Sequence, residues 1–62
     1  QIKLYNGDHI EGLSIYDKKK HKGNIQRILY KDTKPLVGYI VDDETSEIIP
    51  ILLSSARKLK KA

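Results

Sequence analysis

The sequence predicts an all-β domain: a small barrel made from one strongly bent sheet, followed by a short C-terminal helical turn. Three observations carry that expectation. Runs rich in β-branched residues and tyrosine recur at residues 9–16, 24–31, 36–41 and 47–51. Brief polar stretches carrying Gly, Asp, Thr or Pro separate them, which is how turn-linked strands are written. At 62 residues the chain has room for one core, and its 39% apolar content is mostly Ile, Leu and Val, with no Phe, Trp or Met.

The elements follow in order. Ile2-Lys-Leu-Tyr5 alternates and is expected to be a leading strand. Asn6-Gly7-Asp8 is turn chemistry, because Asn-Gly readily takes positive φ. In the strand over residues 9–16, Leu13 and Ile15 share one face, Ser14 and Tyr16 the other. Residues 17–23 read as a lysine-rich hairpin tip, with Gly23 turning the chain where a Cβ would be costly. Within 24–31 the apolar parity switches, from Ile25 and Leu29 to Ile28 and Tyr30, which predicts a bulge or sharp bend. Asp32-Thr-Lys-Pro35 is a turn. Residues 36–41 are apolar on both parities apart from Gly38, so this is the expected central and most buried strand. Gly38 marks a close backbone approach or a kink. Residues 42–46 form an acidic turn and 47–51 a fifth strand, with Pro50 near its end or at an edge, where a missing N–H does least harm. Ser54 or Ser55 is expected to cap a helical turn through Ala56 and Leu59, with Lys58, Lys60 and Lys61 near its C-terminus. The expected core is Ile10, Leu13, Ile15, Ile25, Ile28, Val37, Ile40, Val41, Ile49, Ile51 and Leu52.

Composition narrows the functional classes. The absence of cysteine excludes disulfides and thiolate metal sites and fits a reducing cytoplasm, the expected location. The longest apolar run, residues 48–53, falls far short of the ~20 residues a membrane span requires. Residues 1–62 are expected to form a single domain, and an opening on Gln1 rather than Met leaves two expectations open, a trimmed chain or a fragment of a longer protein. So small a core gains from self-association.

No catalytic residue, cofactor or metal is expected. His9 and His21 sit among polar residues as loop histidines, at a spacing that matches no zinc motif. Ser54 and Ser55 have no partners that sequence could place as a triad. The pair Gly7 and Gly12 lacks the Lys-Ser/Thr of a phosphate loop. Asp42-Asp-Glu44 is a hairpin turn rather than a carboxylate pair.

Charge carries more. The net charge is +4, from twelve basic and eight acidic residues. Lys18, Lys19, Lys20 and Lys22 form one basic block; Arg57, Lys58, Lys60 and Lys61 form another, and Asp42, Asp43, Glu44 and Glu47 lie between them. Two interaction classes follow. The leading one is a protein partner or a second copy of the chain. The alternative is DNA or RNA, bound through the lysine loop as in small basic SH3-like barrels; Tyr16, Lys18, Lys19, Lys20, Lys22, Arg57 and Lys58 are the expected contacts, with a partner's acidic face or with nucleic acid. Convergence of these residues on one face with an exposed tyrosine favours nucleic acid. An exposed apolar patch or sheet edge favours a protein.

Four segments also fall in a familiar order: Gly12-Leu-Ser-Ile-Tyr-Asp17, Gly23-Asn-Ile25, Val37-Gly-Tyr-Ile-Val41 and Ile49-Pro-Ile-Leu52. In order and spacing they resemble the PRC-barrel family, from about His9 to Leu59. The resemblance implies a small β-barrel and a non-enzymatic role in assembly. Fold alone does not select among the partners of such proteins.

Overall fold

Five antiparallel strands and one 3-10 turn make up the computed structural model, which describes residues 4–59. The strands are β1 (His9–Leu13), β2 (Lys20–Lys31), β3 (Lys34–Asp42), β4 (Ile48–Leu52) and β5 (Arg57–Lys58). They lie in one sheet in the order β4-β3-β2-β1-β5. The all-β expectation holds. The expected leading strand does not: Ile2 and Lys3 lie outside the described residues, and Leu4 and Tyr5 are irregular chain.

The turns follow local chemistry. Gly7 takes φ +93°, and the Asp8 carboxylate accepts the Tyr5 N–H at 2.9 Å. Between β2 and β3 the turn is only Asp32-Thr33, both at positive φ (51° and 65°), the type I′ geometry that matches strand twist. Lys31 therefore faces Lys34, and Pro35 lies inside β3 opposite Tyr30 rather than in the turn. The β1–β2 connection is also tighter than expected. Lys20, His21, Lys22 and Gly23 belong to β2, paired with β1, and not to a hairpin tip. Gly23 sits mid-strand opposite Ile10 and Asp42. It is required because a Cβ there would run into the Val41 carbonyl, not because the chain turns.

The core is Ile10, Ile25, Ile40, Ile51 and Leu53, ringed by Leu4, Ile28, Ile49 and Ala56. Five expected core residues fall outside the core cluster: Ile15 is 40% exposed and Leu52 37%, Leu13 and Val41 are half-buried on the outward parity, and Val37 is buried on the outer face. In β1 the inward parity belongs to Ile10 and Gly12, and Ser14 beyond it is buried. Those small residues let the sheet fold tightly over β4, since a Cβ on Gly12 would meet Ile51 and Ala56. Leu53 rather than Leu52 turns inward, against Gly38, which is the close approach expected of that glycine.

The expected bend in β2 is present, as register shifts at Ile25/Arg27 and Leu29/Tyr30. β3 is an interior strand, although the middle of the sheet is β2. Pro50 lies on the edge strand β4. The bend brings Ser14 onto Ile51 as an isolated bridge, and the Ile15 N–H donates to the Pro50 carbonyl at 3.1 Å. That is one bridge rather than a ladder, so the sheet is open among the described residues.

The expected helical turn shrinks to Leu53–Ser55, with no side-chain cap. Ser55 Oγ instead donates to the Leu52 carbonyl at 2.7 Å and accepts the Leu13 N–H at 3.1 Å. From Ala56 the backbone is extended again, because β1 has a free edge to offer. Arg57 and Lys58 take it as β5. Lys60 and Lys61 lie outside the described residues.

Candidate interaction surfaces

The structure gathers only part of the basic site. Cross-strand neighbours share a face, and Lys22, Glu11 and Arg57 lie in one row, with Lys20 opposite Leu13 in the next. Tyr16, Lys18 and Lys19 are exposed on the β1–β2 connection. Lys58 has the other parity, opposite Ile10, and its Nζ is 3.3 Å from Asp8. Carboxylates run through the cluster. Glu11 sits between the two basic neighbours and accepts from Arg57 Nε and Nη2 at 3.0 and 2.9 Å. Asp42, Asp43 and Glu44 line the same 240 Å³ cleft as Lys19, Lys20 and Lys22. A phosphate entering here meets four carboxylates, with Glu11 among them, against three lysine amines, which weakens the electrostatic case for nucleic acid at this face.

His21 also lines that cleft. Its Nδ1 is 2.7 Å from Asp42 Oδ2, and its Nε2 is 3.1 Å from Asp17 Oδ2. The hydrogen bond to Asp42 raises the His21 pKa above 6.5, with Asp17 adding to it. Asp42 is held below 3.8 chiefly by the Glu44 backbone N–H, then by His21. Asp17 is held below 3.8 chiefly by the Lys19 backbone N–H. Asp42 is buried, and its Oδ1 accepts from the Glu44 and Thr45 N–H groups at 2.7 and 3.2 Å. That is the turn chemistry expected of this acidic stretch. Neither histidine is a loop residue. His9 lies in β1, with Nε2 2.6 Å from Asp43 Oδ2. Alternation from His21 through Gly23 to Ile25 is the sequence pattern that could have placed His21 in a strand.

A second surface emerges only from the pairing of strands. The register stacks Val37 on Leu52, Tyr39 on Pro50 and Val41 on Ile48. Alternation puts these on the face opposite Ile40, Gly38 and Ile51. Val37 is buried yet is no member of the core cluster, as its place on the other face requires. Tyr39 and Val41 are half-buried, while Ile48 and Leu52 are exposed. Both faces of the β3–β4 pair are thus apolar. A sheet with one wet face would show polar residues here.

No family model, curated protein or solved structure matches this chain. Among the described residues, no group of three or more His, Asp or Glu is placed to hold a metal ion, and no helix is long and apolar enough to cross a membrane.

Proposed function

We propose that this chain is a non-enzymatic interaction module, a small barrel of the PRC type, that docks an apolar segment of a protein partner on the outer face of β3 and β4. The observation that carries the reading is the three stacked apolar pairs, Val37/Leu52, Tyr39/Pro50 and Val41/Ile48, on a face the rest of the chain leaves partly uncovered. The sheet bends far enough for Ser14 to reach Ile51, which supports a barrel-type relationship. The face is two strands wide, roughly 10 Å, and about 17 Å long. That matches one amphipathic helix better than a second copy of the same sheet. A standard interface takes ~800 Å² per partner, about a sixth of the 4839 Å² this chain exposes, and a net charge of +4 repels its own kind.

Edge pairing is disfavoured. The β4 edge is engaged by Ile15 at Pro50, which has no N–H to offer, and β5 is a two-residue basic strand. The test is capture of partners from source-cell lysate on immobilised chain, with nuclease present. Capture should survive nuclease and be lost in the double variant Ile48→Lys, Leu52→Lys, whose melt should match the parent because both side chains are exposed. Equal capture by the variant, or loss on nuclease treatment, would overturn the proposal.

A further inference from the structure

β1 pairs with β2 only over Lys20–Asn24. Beyond that point the chain entering β1 bends aside, and two main-chain bonds pin it. Gly7 N–H donates to the Ile25 carbonyl at 2.7 Å, and Ile25 N–H donates to the Asp8 carbonyl at 2.9 Å. A shallow groove of about 500 Å³ opens between this lead-in and the far half of β2. Leu4 and Ile28, both packed on the core, contribute to its lining. Tyr5 and Tyr30 also line it, 59% and 61% exposed. Asn6 and Arg27 complete the lining, and no carboxylate takes part. Arg27 makes no ion pair among the described residues. Lys31 and Lys34 face each other next to Tyr30 at the hairpin end.

We infer that this groove binds a short stretch of single-stranded nucleic acid. Two exposed aromatic rings on a pinned backbone offer π faces to unstacked bases, and cations that make no ion pair among the described residues lie beside them to meet the phosphates. The same chemistry is absent from the lysine-rich cleft, where Glu11, Asp42, Asp43 and Glu44 stand among the amines. A duplex does not fit the inference, because its bases are already stacked and out of reach of the rings. The site is separate from the apolar β3–β4 pairs, so it stands or falls independently of the protein-docking proposal.

The experiment is fluorescence polarisation with labelled dT10, rU10 and a 10-base-pair DNA duplex, across a salt series. At low salt the single strands should bind, and the duplex should bind at least tenfold more weakly. With Arg27, Lys31 and Lys34 engaged, the single-strand log–log salt slope should be about −2, and Arg27→Gln should flatten it by about 0.7. Tyr5→Ala with Tyr30→Ala should weaken single-strand binding at least tenfold, while Tyr16→Ala leaves it unchanged. All three tyrosines are exposed, and circular dichroism checks that each variant keeps the fold. Absent single-strand binding at low salt overturns the inference. So does parent-like affinity in the folded double tyrosine variant, or equal affinity for duplex and single strand.

Discussion

Both ring nitrogens of His21 face carboxylates, so the side chain satisfies both only as the imidazolium, which alone donates from both. Its raised pKa makes this a stability statement. The contribution is fully present below pH 6.5 and is lost as pH rises through the raised value. Asp17 and Asp42 run the other way. Held below 3.8, they stabilise the fold above that pH and cease to do so as pH falls through their lowered values. Stability is therefore expected to be greatest between about pH 4 and 6.5. Thermal melts of the parent should show the melting temperature declining from pH 6 to pH 9. His21→Gln should melt lower at pH 6 and show a flatter decline; an equally steep decline would assign the titration to another group. None of this is legible from the sequence around His21. Flanking lysines disguise a strand whose inward positions are His21, Gly23 and Ile25.

Elements were legible where hydrophobic parity speaks and illegible where it does not. The bulged β2, the apolar β3 and the Pro-bearing edge strand β4 all announce themselves through β-branched residues and turn punctuation. β1 misleads because the inward positions after Ile10 are Gly12 and, just past the strand, Ser14, small residues that serve tight folding rather than hydrophobicity, so Leu13 and Ile15 draw the eye to the wrong face. β5 is two charged residues long and carries no pattern. The β2–β3 turn is legible as a turn but not as a type I′ one, since Asp32-Thr33 lacks the usual glycine. A β-branched residue at φ 65° is disfavoured by roughly 1–2 kcal/mol, of which the flexibility of glycine in the unfolded chain returns a part. Thr33→Gly should therefore stabilise the hairpin by about 0.5–1 kcal/mol. The check is a urea midpoint that rises at unchanged slope; an unmoved midpoint would show that the turn carries no strain.

On the scale of the whole molecule, the β3–β4 half of the sheet is apolar on both sides, and the two sides differ in consequence. Ile40 is fully buried in the core cluster, whereas Val37 lies on the outer face beside exposed Leu52. A buried unpaired charge costs several kcal/mol, which rivals the ~5 kcal/mol total of so small a domain. Ile40→Asp should therefore abolish the cooperative melt, while Val37→Asp, with solvent nearby, should lower its midpoint and keep it cooperative. Equal loss in both would make the outer face part of the core. The pairing of β5 with β1 has a different kind of consequence. Antiparallel register places the start of β1 beside the end of β5, with the Leu59 N–H on the His9 carbonyl. Tension applied at the two ends of the described chain would open that ladder one bond at a time, like a zipper, instead of loading its bonds in parallel. β5 is thus the mechanically weakest seam of the fold, and it can peel away while the four strands behind it stay closed.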